Sequence, residues 1–197
     1  MSLQTGLLLT LLLLAGNGFF VAAEFALVAA KRPRLERAAA EGSRAARSAV
    51  AGIRELSLML AGAQLGITMC SLGLGVVSEP VIADTLTPPF HGLGLPEAAA
   101  HAVAFVIALA LVTFLHMVIG EMAPKSWAIA RPERSATLLA PPFRAFTKAV
   151  RPVLTGLNAF TNLLLRALGV RPRDAVAVSR TPEQLRRLVE ESRRLGL

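Results

Sequence analysis

The stretch "LLAGNGFFVAAEFALVAAKRPR", residues 13–34, decides the fold class, because it sets Asn17 and Glu24 inside an apolar run that reaches back to Leu3. Between Leu3 and Ala30 Glu24 is the one charged residue. About 20 helical residues cross a hydrocarbon layer of roughly 30 Å, so the run reads as a membrane span. A secretory leader is the competing reading. It would need a basic segment before Leu3 and a shorter apolar core, and neither is present. Composition agrees with a bilayer environment, since 54% of the 197 residues are hydrophobic and 17% are charged.

Two further apolar stretches run from about Leu56 to Val77 and from about Ala98 to Ile119, the last continuing towards Ala130 past a polar interruption. The fold class expected is therefore an all-α membrane protein with three transmembrane helices, broken in places, plus amphipathic juxtamembrane helices. The connecting segments give the orientation, because cytoplasmic loops collect Lys and Arg. The first connection holds Lys31, Arg32, Arg34, Arg37, Arg44, Arg47 and Arg54, whereas the second, residues 78–97, has none and carries Glu79, Asp84 and Glu97. Lys125, Arg131 and Arg134 follow span three. These biases predict an inner-membrane, multi-pass protein with its N-terminus outside and its C-terminus in the cytoplasm. The net charge of +8 is absorbed by this inside bias and by attraction to an anionic leaflet. With no Tyr and few aromatics to stack on bases, the partner implied is the lipid bilayer and not nucleic acid.

Beyond span three, Pro141, Pro142 and Pro152 interrupt basic, amphipathic sequence. The expectation is two juxtamembrane helices, about Thr137 to Val150 and Pro152 to Leu168, with basic groups snorkelling to headgroups. A fourth span from Val153 to Leu168 would be short, and it would carry Arg171, Arg173 and Arg180 outside. From Arg171 the chain turns soluble in character, with Thr181 as a helix cap, Pro182 at the first helical position, Glu183 in the first turn and a thin stripe of Leu185, Leu188, Val189 and Leu195. The division expected is a transmembrane domain over 1–135, juxtamembrane helices over 136–170 and the start of a cytoplasmic region over 171–197, cut short before the domain that would cover that stripe.

The chemistry resides in polar groups within the spans. Asn17 and Glu24, seven apart, share a helix face, with Gly16 and Gly18 beside Asn17. Gln64, Thr68 and Ser71 form a stripe in span two among Gly62, Gly66, Gly73 and Gly75. Span three carries Thr113, His116 and Gly120 on one face, then Glu121 and Pro124. Pro124 lacks a backbone N–H and so frees the carbonyl of Gly120 next to the Glu121 carboxylate. Carboxylate, amide, hydroxyl and carbonyl oxygens without a metal-spaced Cys or His set suit Mg²⁺, Ca²⁺ or Na⁺. Intramembrane carboxylates mark ion or proton paths by default, although Glu24 lies near enough to Lys31 and Arg32 to pair with them instead. Bland roles compete elsewhere: Ser71 and Thr113 bonding back to their own helix, Gln64 as interhelical glue, and His116 in packing or hydrogen bonding. Cys70, the single cysteine, has no disulfide partner. An intramembrane enzyme would need a nucleophile with a base, and Cys70 with His116 on different spans is thin support, so no enzyme is expected.

"NGFFVAAEFALVA" before a basic loop, "LGITMCSLGLG" in the second span and "GEMAPKSWA" at the end of the third resemble the transmembrane domain of the CorC and cyclin M (CNNM) proteins, over about residues 3–170. The resemblance implies Mg²⁺ transport, a homodimer of three-span protomers with juxtamembrane helices, and cytoplasmic CBS domains that bind ATP and are absent from this chain. It places the family's Gly-Glu-x-x-Pro pattern on Gly120, Glu121 and Pro124. Where other members carry a serine in span one, this chain has Val21, Ala22 and Ala23; where many carry Gly-Asn in span two, it has Gly62 and Ala63 followed by Gln64. The metal set implied is Glu121, Gly120, Gln64, Thr68, Glu24 and Asn17, with Mg²⁺ bound among the spans and Na⁺-coupled export as one mode. A membrane-anchored Mg²⁺ sensor or scaffold is the alternative.

Overall fold

The computed structural model describes residues 2–169, and it is helical throughout apart from short connections. Helix α1 spans Leu3–Ala29, and Ser2 caps it by accepting from the Thr5 N–H. Two short helices follow, α2 (Arg32–Ala40) and α3 (Arg44–Arg54), then α4 (Leu56–Gly92) and α5 (Glu97–Leu115). A π-helical segment, His116–Met122, joins α5 to α6 (Ala123–Ala130), and α7 covers Pro132–Ala167. Among the described residues three elements are long and apolar enough to cross a membrane: Leu3–Ala29, Leu56–Gly92 and Glu97–Ala130. The three-span architecture expected from hydropathy is the one observed.

Helix α4 lies along α1, α5 and α7, and glycine is what lets it approach α1 and α7 so closely. A Cβ at Gly66 would stand 2.5 Å from the Phe20 ring, and one at Gly62 would stand 2.9 Å from the Thr147 hydroxyl. Small residues at such seams permit the van der Waals contact that drives helix association in lipid. Ala100, Ala104 and Ala108, one per turn, give α5 the same kind of closely packed face towards α4. The main core therefore gathers mostly small side chains from α1, α3, α4, α6 and α7, among them Ala23, Ala26, Ala49, Ala63, Ala128, Ala136 and Ala140. Phe143, fully buried, is its largest member, with Phe19 and Phe20 edge-on to it and Phe146 tilted against Phe20. A smaller cluster of Leu14, Leu74 and Val112 holds the three spans together farther along.

Three expectations need correction. Residues 78–92 are helical rather than a loop, so α4 has 37 residues, about 55 Å at 1.5 Å per residue. It exceeds the hydrocarbon thickness, and the turn to α5 is short, with Gly94 at φ +91°. The basic connection of residues 31–55 is folded, with Leu35 of α2 and Val50 of α3 in the main core and Arg144 of α7 donating to Ser48 at 3.4 Å. Third, α7 is one continuous helix of 36 residues with Pro141, Pro142 and Pro152 inside it. Neighbouring helices can hold a proline-interrupted helix together, and here Ala136, Ala140, Phe143 and Thr147 are buried on one face of α7. The helix cap expected at Thr181 and the stripe from Leu185 to Leu195 lie outside the described residues.

Candidate functional site

Span one is continuous through Gly16 and Gly18; the break is in span three. A π-helix bonds i to i+5 and occurs mostly as a single turn at functional sites. The N–H of Ala123 accordingly donates to Val118, five residues back. This change of pitch has a direct chemical consequence. On an α-helix, residues five apart point about 140° away from each other, but here His116 Nε2 and Glu121 Oε1 stand 3.6 Å apart.

The Gly120 carbonyl, denied a donor from Pro124, accepts from Asn17 Nδ2 at 2.9 Å. Asn17 is fully buried. That bond fixes the amide's orientation, because turning it would set two oxygens against each other, and it leaves Oδ1 facing Ser71 Oγ at 3.5 Å. Ser71 Oγ in turn lies 3.2 Å from His116 Nε2, the direction of donation depending on the tautomer. The spans thus converge on one tier: Asn17 from α1, Ser71 from α4, and His116, Gly120 and Glu121 from the π segment. Absent side chains make room for it, since a Cβ at Gly18 would fall 2.9 Å from Pro124 Cγ and one at Gly120 would fall 3.2 Å from Asn17 Nδ2.

Glu24 lies seven residues beyond Asn17, about 10 Å along α1. Its carboxylate accepts from Gln64 Nε2 at 3.1 and 3.2 Å, so it pairs across to span two and not with the basic segment that follows. Arg32 is instead paired with Glu36 at 2.8 Å. Thr68 is exposed and hydrogen-bonds to neither tier. With Gln64 it lines a groove of about 640 Å³ between α4 and α7, where Ser57, Asn158 and Thr161 supply further polar groups. Of the six residues read as metal-binding, Asn17, Gly120 and Glu121 therefore share one tier, Glu24 and Gln64 make a second, and Thr68 faces the groove.

Sequence reasoning undervalued Ser71, whereas His116 takes the hydrogen-bonding role expected of it, with partners that the sequence did not name. Thr10, Thr85, Thr87, Thr137, Thr147, Thr155 and Thr161 all donate to the carbonyl four residues back, as expected in apolar helices, but Ser71 reaches across to other spans. Its place seven residues after Gln64 was the available signal. For His116 the signal was hidden, because its closeness to Glu121 exists only in π geometry. The Ser71–His116–Glu121 grouping is not a nucleophilic triad, since hydroxyl and carboxylate address the same ring nitrogen, whereas a triad sets them on opposite ones. No three His, Cys, Asp or Glu side chains converge among the described residues. An ion held here would be bound by one carboxylate with neutral oxygens.

Three apolar helices enclosing such a tier define a polytopic membrane protein with an intramembrane polar site. The chain matches the cyclin M transmembrane N-terminal domain over residues 8–197 and belongs to that family. It is 40% identical over all of its 197 residues to an uncharacterized protein of Mycobacterium tuberculosis strain H37Rv, of which it covers 56%. It is 42% identical over 190 residues, 96% of the chain, to the UPF0053 protein YhdT of Bacillus subtilis, of which it covers 41%. A more distant relative, the UPF0053 protein sll0260 of Synechocystis, is 28% identical over 196 residues, the whole of this chain after rounding and 43% of the relative. The chain spans about half the length of the curated relatives it matches.

Proposed function

We propose that this chain is the ion-translocating domain of a Mg²⁺ transporter, working as a homodimer in the inner membrane with its N-terminus outside and its C-terminus in the cytoplasm. The observation that carries the reading is the tier at the π segment. A buried amide oxygen, a hydroxyl and a carboxylate, each from a different span, come together where the third helix changes pitch. Mg²⁺ wants near-octahedral oxygen and gives up water reluctantly, so Glu121 supplies charge while Asn17 Oδ1 and Ser71 Oγ replace part of the hydration shell. Glu24 and Gln64 form the next station, about 10 Å away along α1. Interrupted helices are where other transporters bind their ions and pivot, and the π segment beside Pro124 gives this chain such a point. The same hard donors suit Na⁺, so Na⁺-coupled export is one mode open to this site. ATP would act through CBS domains in the part of the protein beyond this segment.

Mg²⁺ flux in proteoliposomes under an imposed Na⁺ gradient tests the proposal. Flux that follows the gradient and is lost with Glu121→Gln supports it. The same substitution should weaken Mg²⁺ affinity by about tenfold or more, the low end for outer-shell partners that are not themselves ligands. Calorimetric Mg²⁺ binding without any flux would instead favour a membrane-anchored sensor or scaffold.

A further inference from the structure

A second concavity, sharing no lining residue with either polar tier, lies where two chain junctions meet. The α1–α2 junction brings Lys31 and Arg34, and the α6–α7 junction brings Arg131 and Arg134. These four cations, with Ala130, Pro132 and Glu133, line a pocket of about 530 Å³, within the range of roughly 300–1,000 Å³ typical of small-ligand sites. Glu133 is the one acid; its Oε1 is buried, without a hydrogen bond, and lies 3.7 Å from Arg34 Nη1 as a loose ion pair. Lys31, Arg131 and Arg134 are exposed and have no carboxylate partner among the described residues. Two helices also start here, α2 after Lys31 and α7 after Arg131, and neither has a side-chain cap on its first N–H groups. Uncapped N-termini add partial positive charge to that of the side chains.

We infer that this pocket binds the phosphate of an anionic phospholipid headgroup. Its level in the molecule selects a lipid over a free phosphate. The pocket opens at the last residues of the first and third spans, Ala29 and Ala130. Immediately before them Val28 is 56% exposed and Ile129 is 50% exposed, apolar surface placed to meet acyl chains beside the headgroup. Basic pockets between membrane helices are the usual receptors for such headgroups. Charge bias alone would spread cations over the whole basic connection, but these sit around one concavity built from segments about 100 residues apart in sequence.

Trp127, the single tryptophan, lies one turn before Arg131 and serves as the reporter. Its quenching is measured in vesicles containing brominated phosphatidylglycerol or brominated phosphatidylcholine at equal mole fraction. The parent should prefer the anionic lipid. With each basic side chain worth about fivefold, neutralising three (Lys31→Gln, Arg131→Gln and Arg134→Gln together) should cut the preference by up to about a hundredfold. A control that removes as much charge elsewhere, Arg37→Gln, Arg44→Gln and Arg47→Gln together, should keep it, as should the charge-conserving set Lys31→Arg, Arg131→Lys and Arg134→Lys. The proposal fails if the control set loses the preference equally, if the charge-conserving set loses it, or if the first set retains it. Reversal of anionic quenching by inorganic phosphate at matched ionic strength would reassign the pocket to a soluble anion.

Discussion

Replacing Asn17 with Ala tests whether the buried amide substitutes for the backbone donor that Pro124 lacks. In the native chain the Gly120 carbonyl accepts from Asn17 Nδ2 at 2.9 Å, and the side chain is fully excluded from solvent. Truncation leaves a buried acceptor short of its partner. A general value for that loss is about 1–3 kcal/mol, but hydrogen bonds between membrane helices average about 0.6 and reach about 1.7. The short, fully buried bond belongs at the upper end, so we expect about 1.5 kcal/mol, or more than tenfold in the unfolding equilibrium. Pro124→Ala should make the Asn17 bond partly redundant by returning an N–H to the i+4 position of Gly120. In that background Asn17→Ala should cost less than half as much, and the double-mutant cycle subtracts the packing that Pro124 loses against Gly18. Cys70 offers the assay. It is the one cysteine, half-buried, with its Sγ 3.2 Å from where a Cβ would sit on Gly16, and its reaction with a fluorogenic thiol reagent should speed up when α1 and α4 separate. Equal costs in the two backgrounds would refute the capping role.

Gly66→Ala would force a Cβ to within 2.5 Å of Phe20, a ring already wedged between Phe143 and Phe146, and should cost about 1–3 kcal/mol as overpacking; Gly75→Ala, with nothing within 4 Å, should be close to neutral, and thermal denaturation in detergent separates the two. Glu24→Gln should reduce Mg²⁺ flux severely and affinity only moderately, because Glu24 stands in the tier beyond Glu121. Equal, severe losses of affinity in Glu24→Gln and Glu121→Gln would place both carboxylates on the same ion. In a background without Cys70, Leu93→Cys should react with an impermeant thiol reagent from outside and Glu41→Cys should not. These positions avoid the positive φ of the neighbouring Gly94 and Gly42, and reaction of both from one side would contradict the proposed topology.

The sequence by itself determined the three spans, because twenty or more apolar residues in a row have no other low-energy environment than lipid. It also singled out Asn17, Glu24, Gln64, Gly120 and Glu121, since a polar group at such a depth is costly and therefore conspicuous. Pro124 was legible for a related reason: a missing donor can be read from one letter, and the freed carbonyl of Gly120 follows from counting back four. What accepted the freed bond was not legible, because Asn17 is 103 residues away from Gly120 and only packing brings the two together. The tertiary structure alone decided that Glu24 belongs with Gln64 and Glu121 with His116. The first pairing depends on how α4 lies against α1, and the second on a π turn whose pitch no α-helical wheel reproduces. It decided the continuity of α7 as well. Three prolines argue locally for breaks, but the face of Ala136, Ala140, Phe143 and Thr147, buried on both sides of Pro141 and Pro142, holds the first half of the helix together against them. Hydropathy is a sum over neighbours in sequence and survives in a string of letters; the partner of each buried polar atom is set by distances between helices, which the string does not contain.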